Sequence, residues 1–250
     1  MLAADKSLRR AHLALAAAAA ILVGVIAPVA VHAEAAPADP IDTAMRACLA
    51  RADRSSPVGQ AQCMDAARTS WQEAIDAAYR SIVADAPDKP RRGWEESQRR
   101  WLAWREAEAP LVRAVFSATQ GTSYVIAESN VSLQPVRDRA LQLRRAAAQF
   151  QAQAQAASAP DPAATKPAPR VRLCAADAAC EHAQFDLSRY ARKLRAKLPV
   201  QSRTLLTRAQ RAWRSYFDAT AGLGTEADRV DLIGGRVATF KRLFDTVGSS

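Results

Sequence analysis

The sequence predicts an all-α protein, two small antiparallel helical bundles joined by a Pro/Ala-rich linker. Three observations carry this. Apolar residues recur every three or four positions through most of the chain, which is the spacing of one helix face, and nothing suggests strands. The stretch Gln98-Arg-Arg-Trp-Leu-Ala-Trp-Arg-Glu106 returns 112 residues later as Gln210-Arg-Ala-Trp-Arg-Ser-Tyr-Phe-Asp218, so that Trp101 matches Trp213, Trp104 matches Tyr216 and Glu106 matches Asp218. Cys63 also stands 16 residues before Tyr79, as Cys174 stands 16 before Tyr190. Matched landmarks, with one residue inserted between the tyrosine and the tryptophan of the second set, read as two copies of one module.

The chain opens with Lys6, Arg9 and Arg10, an apolar run from Leu13 to Ala27, and Val31-His32-Ala33. That is a basic region, a hydrophobic region and a small-residue cleavage site, so residues 1–33 read as a signal peptide cleaved after Ala33. The run is shorter than the ~20 apolar residues a bilayer span needs, and Gly24 and Pro28 interrupt it. The mature chain then begins at Glu34 as a periplasmic or secreted protein with no transmembrane segment. No cysteine lies near the cleavage site to carry a lipid anchor.

Residues 34–157 form the first module. Asp42 is the expected cap of a first helix running to about Ala52, and Arg54 to Gly59 reads as a loop. From Ala61 the positions Cys63, Ala67, Trp71, Ile75, Ala78 and Ile82 make one helix face, with Tyr79 beside it. After a charged turn at Asp88-Lys89-Pro90, Trp94, Trp101, Trp104, Leu111 and Val115 form a stripe whose helical spacing marks the tryptophans as core. Ser117 to Asn130 reads as a polar loop, followed by a helix carrying Leu133, Val136, Ala140, Leu143, Ala147 and Phe150.

Residues 158–171 are the linker, rich in Pro and Ala and unable to form a core. Residues 172–250 form the second, shorter module. Leu187, Tyr190, Leu194 and Leu198 make one face, Leu206, Ala209, Trp213 and Tyr216 a second, and Val230, Ile233, Val237, Phe240 and Phe244 a third. Gly222 and Gly224 stop the middle helix, and Thr225 with Asp228 resembles a capping box for the last.

Cys48, Cys63, Cys174 and Cys180 are an even set in an oxidising compartment and read as disulfides, for which three pairings exist. The local one, Cys48 with Cys63 and Cys174 with Cys180, is the reading adopted. Six helical residues rise about 9 Å, beyond the reach of a disulfide, so Ala175 to Ala179 must turn. The absence of a C-x-x-C and the single mature histidine, His182, argue against metal, cofactor or redox use. Nucleophile, base and paired-carboxylate arrangements are also missing, so the chain does not read as an enzyme.

The formal charge of +10 is uneven. Residues 34–150 hold 16 basic and 15 acidic side chains, whereas residues 151–250 hold 16 and 9. Arg189, Arg192, Lys193, Arg195 and Lys197 cluster on one expected helix and Arg203, Arg208, Arg211 and Arg214 on the next, a surface for polyanions or simply a solvated face.

A cysteine, a tyrosine sixteen residues on, and a Gln-Arg-x-Trp helix closing on an acid resemble the LprI-type lysozyme inhibitor domain family, a helical module of exported bacterial proteins. Residues 44–145 give the fuller match and residues 174–244 a shorter one, with Arg137 and Arg236 fitting an arginine of the last helix. Family members usually carry a cysteine eight residues after the tryptophan, where Ala109 and Ala221 stand here, and a partner in the next loop. Losing both together leaves Cys48 and Cys63 for each other.

The resemblance implies an exported binding module that inhibits lysozyme-like muramidases. Animal lysozymes are cationic, so the near-neutral first module is the half expected to dock. The partner-binding candidates are Glu95, Glu96, Gln98, Arg99, Arg105, Glu106 and Glu108, with Gln210, Arg211 and Asp218 in the second copy. The same acids fit helix-surface or interhelix ion pairs. A different reading is an envelope scaffold whose basic half holds anionic glycans, lipids or wall fragments. Export leaves little opportunity for nucleic acid.

Overall fold

The computed structural model describes residues 38–119, 121–158 and 171–247. The expected signal peptide and residues 159–170 of the expected linker lie outside the described residues. All regular elements described are helical, in the order α1 (Pro40–Leu49), α2 (Pro57–Asp85), α3 (Asp88–Phe116), α4 (Ser123–Ala157), α5 (Ala178–Lys197), α6 (Val200–Thr220) and α7 (Glu226–Val247), with short 3-10 turns at Ala52–Arg54 and Cys174–Ala176.

Several boundaries follow caps that periodicity does not reveal. Asp39, not Asp42, caps α1: its carboxylate accepts the Ile41 amide at 2.9 Å, and Pro40 takes the first helical position. Asp42 is buried instead, gripped by Arg137 through Nε at 2.9 Å and Nη2 at 2.6 Å. α2 begins at Pro57 because Ser56 accepts the Gly59 amide at 3.1 Å. The expected charged turn at Asp88-Lys89-Pro90 is the first turn of α3, where a proline sacrifices only an amide that would have no helical partner. The expected loop from Ser117 to Asn130 shrinks to 117–122: the chain turns at Gly121, φ 115°, and Tyr124, Ala127 and Val131 already pack on the core.

In the second half Asp177 caps α5 by accepting the Ala179 amide at 3.2 Å. The Thr225/Asp228 box forms as read, with the Thr225 amide donating to Asp228 Oδ2 at 2.9 Å and the Asp228 amide donating to Thr225 Oγ1 at 3.1 Å. A Cβ on Gly224 would lie 2.8 Å from that same Oδ2, so glycine is needed there for the box to close. Both local disulfides are present, with Cα separations of 5.7 Å for Cys48–Cys63 and 5.2 Å for Cys174–Cys180. The second is reachable because the chain leaves the helix between its cysteines. The shared sixteen-residue spacing is therefore not a shared position: Cys63 lies inside α2, and Cys174 precedes α5.

In each half the first and last long helices run side by side in the same direction. Trp71 of α2 lies under Arg137 and Arg144 of α4, and Gln151 further along α4 donates to Ser81 at 3.0 Å. In the second half Arg229 of α7 reaches Asp177 at 2.8 Å, and Lys197 of α5 reaches the Phe244 carbonyl at 3.4 Å. The middle helices α3 and α6 behave differently. They pack antiparallel against each other across the halves, with the Trp104 and Tyr216 rings stacked 5.4 Å apart and Ser97 hydrogen-bonded to Thr220 at 2.7 Å. Thr220 already donates to the Tyr216 carbonyl, so Ser97 is the donor in that pair. The two bundles consequently share one continuous core.

Removing the Cys48–Cys63 bridge as Cys48→Ala/Cys63→Ala is expected to cost about 3 kcal/mol, and removing the tighter Cys174–Cys180 loop about 2 kcal/mol, in urea unfolding of the oxidised chain. Acid sensitivity follows from Asp42, whose carboxyl the Arg137 hydrogen bond holds below the usual range. A depressed carboxyl contributes stability above its unfolded pKa and loses it as pH falls through the folded value. Asp42→Asn should therefore lower stability at pH 7 and flatten its fall below about pH 4.

Candidate functional site

The halves meet at a buried polar lattice. Gln98 Oε1 accepts Arg139 Nε at 3.0 Å and Nη2 at 2.9 Å, and Gln210 Oε1 accepts Arg236 Nε at 3.1 Å. The two motif glutamines thus do equivalent work, and the arginine of α4 that matches Arg236 is Arg139. Arg137, the match expected from sequence, points to α1 instead. Both lattice arginines are 1% exposed. Arg236 Nη1 donates to Glu108 Oε1 at 2.6 Å, and Glu108 Oε2 accepts the Trp104 indole N–H at 3.1 Å. Arg139 Nη1 donates to Gln142 Oε1 at 2.7 Å, which also accepts the Tyr216 hydroxyl at 3.1 Å.

The lattice is chemically lopsided. The residue 112 positions after Glu108 is Thr220, which is occupied with Ser97. Arg139 therefore makes no ion pair among the described residues and rests on neutral amides and the faces of Trp94 and Tyr216, 5.7 and 5.5 Å from its guanidinium carbon. Burial lowers its pKa from the ordinary value and raises that of Tyr216.

This geometry divides the sequence-derived candidates. Gln98 and Glu108 are buried and present no surface to a partner, and Gln210, half-buried, is committed to Arg236. Arg105 turns inward, beside the Trp104 ring and donating to the Ser132 carbonyl at 3.4 Å; desolvation lowers its pKa. Glu95, Glu96, Arg99 and Glu106 remain on the outer face of α3, where Glu96 pairs with Arg99 and Arg100. Glu95 and Glu106 make no ion pair among the described residues, nor does Asp218, which is exposed on α6 with Arg211. The sequence reading missed Leu102, which is 52% exposed and shares the helical face of Glu95, Arg99 and Glu106. Its signal was available: a leucine that falls outside the tryptophan stripe.

Arg189, Arg192, Lys193, Arg195, Lys197, Arg208 and Arg214 are all exposed. Four are tethered, Arg195 by donating to Thr207 at 3.1 Å, Lys197 by standing 3.8 Å over the Phe244 ring, and Arg189 and Lys193 by standing 5.9 and 5.5 Å over the Tyr190 ring. Of the expected core aromatics, Trp71, Trp101, Trp104, Trp213 and Tyr216 are buried. Tyr79 and Tyr190 are only half-buried at the core edge, because their helices turn those positions toward solvent.

Between α4 and α7 lies a groove of about 530 Å³ that the sequence did not announce. Trp101, Trp104, Trp213 and Tyr216 line it together with Arg139 and Arg236, as do Asp138, Asp231 and Arg242. Surrounding protein raises the pKa of Asp138, even though its carboxylate remains open to solvent, and the nearby Asp231 charge adds to the shift.

Residues 35–143 match the model of the family described as lysozyme inhibitor LprI. The crystal structure of an uncharacterized protein from Burkholderia thailandensis is similar at 56% identity, covering 84% of this chain and 98% of that chain with a TM-score of 0.75. A search of curated proteins finds no match. Among the described residues no helix is long and apolar enough to cross a membrane.

The lattice makes Glu108 and Glu106 unequal although they lie two residues apart. Glu108→Ala strands the buried Arg236 charge and should cost about 3–5 kcal/mol in urea unfolding. Glu106→Ala, at an exposed position without an ion pair among the described residues, should change stability by about 0.5 kcal/mol or less.

Proposed function

The chain belongs, through residues 35–143, to the lysozyme inhibitor LprI family, and from that membership we propose that it is an exported protein that binds lysozyme-like muramidases and blocks them with the outer face of α3. The observation that carries this reading is the composition of that face. Leu102 is an exposed apolar anchor, and Glu95 and Glu106 are carboxylates with no ion pair among the described residues. Arg99 on the same face is paired with Glu96, so an apolar centre with two carboxylates left over suits a cationic partner. The mode of action is occlusion, with no chemical step on this chain. The basic and apolar amino terminus and the two disulfides support export.

A second reading draws on the eight exposed cations of α5 and α6, Arg211 included, which would hold anionic glycans, lipids or wall fragments. Salt separates the two: polyanion binding falls steeply as ionic strength rises, and docking around Leu102 does not.

The test is a lysozyme activity titration at physiological salt with the whole oxidised chain from Glu34, because α3 is packed on α6 and the first half alone lacks that support. Saturable inhibition is expected, weakened about tenfold or more by Leu102→Asp with Glu106→Lys. No inhibition at large molar excess would sink the reading for that lysozyme class.

A further inference from the structure

We propose that the groove between α4 and α7 binds a compact, ring-bearing organic carboxylate, with the carboxylate turned inward toward Arg236 and Arg139. The volume, about 530 Å³, lies within the range of small-molecule sites. Its inner wall carries two buried guanidinium groups against one buried carboxylate, Glu108. A buried cation that lacks a counterion is costly, and an incoming carboxylate supplies the missing charge. One donor there is also unused: Arg236 Nη2 is buried and has no acceptor among the described residues, although Nε and Nη1 of the same group are bonded. Buried donors are nearly always satisfied, so this nitrogen calls for an oxygen acceptor, and an incoming carboxylate carries one.

The remaining walls define the body of the ligand. Trp101, Trp104, Trp213 and Tyr216, each 5% exposed or less, form an aromatic floor against which a flat ring can lie. On the open side Asp138 and Asp231 alternate with Arg242 and Arg145, so the rim carries both signs and the inner guanidinium groups are the anchor for a carboxylate. Gly234 lines the groove on α7, where a Cβ would meet nothing within 4 Å, so a longer side chain can be introduced at the groove without a clash. The groove lies on faces of α4 and α7 that the proposed docking surface on α3 does not include, so the two sites stand or fall separately.

The experiment is calorimetric titration of the whole oxidised chain, at fixed ionic strength, with benzoate, glucuronate and benzamide. Saturable binding of benzoate would identify an aromatic acid and of glucuronate a sugar acid, with benzamide, the neutral isostere of benzoate, about tenfold weaker or worse than the acid that binds. Gly234→Leu should abolish binding while leaving the melting temperature unchanged or higher, since it removes a glycine from a helix interior. The proposal is overturned if neither acid saturates, if benzamide binds as well as the acid, or if Gly234→Leu, with its melting temperature retained, binds as the parent does.

Discussion

The stack of Trp104 on Tyr216 is the contact on which the rest of the molecule depends. It occupies equivalent positions of the two Gln-Arg-x-Trp helices, and it draws each of those helices against the other half. Without it α3 would have only its own half to cover the tryptophan stripe. With it, the indole of Trp104 is aimed at Glu108 and the phenol of Tyr216 at Gln142, so each ring also fixes one end of a hydrogen-bonded chain. Aromatic area supplies the driving force, and the polar tips set the register.

The two buried arginines turn that contact into a specific one. Each is held by a motif glutamine on the helix of its own half and reaches across to the other half: Arg236 to Glu108, and Arg139 to the face of Tyr216. Sliding α3 along α6 by one turn, about 5.4 Å, would break those links and leave guanidinium groups facing apolar side chains. The penalty for a wrong register is therefore larger than the gain from the right one. The difference between Glu108 and Thr220 makes the crossing polar in different ways at its two ends, which distinguishes the correct pairing from its reverse.

The helical class, the disulfide pairing, the capping box and most of the core could be read from the sequence because each rests on local spacing. Trp71, Trp101, Trp104 and Trp213 fall on helical stripes, and Cys174 and Cys180, six apart, can bridge only where the chain leaves the regular helix. What could not be read involves partners far apart in the chain. Gln98 and Glu108 look like surface residues of a polar helix, and only Arg139 and Arg236, 41 and 128 residues away, bury them. Arg137 and Arg139 lie two apart, and which of them faces α3 depends on the rotation of α4 about its axis. The loop expected over Ser117 to Asn130 failed for a related reason, because Tyr124 and Val131 find tertiary contacts that outweigh a polar composition.

Sharing one core also changes how the charge asymmetry bears on recognition. Were the halves tethered only by a linker, the near-neutral first half could meet a cationic partner while the basic second half swung away. Packed through α3 and α6, the second half stays within reach, and its excess of basic over acidic residues opposes the approach of any cationic protein. Salt screens that opposition over about 8 Å at physiological strength. Affinity for such a partner must then come mostly from short-range contact at Leu102 and the carboxylates beside it, and little from long-range steering. On the proposed reading, recognition rests on fit at α3, and the basic second half selects among partners by charge.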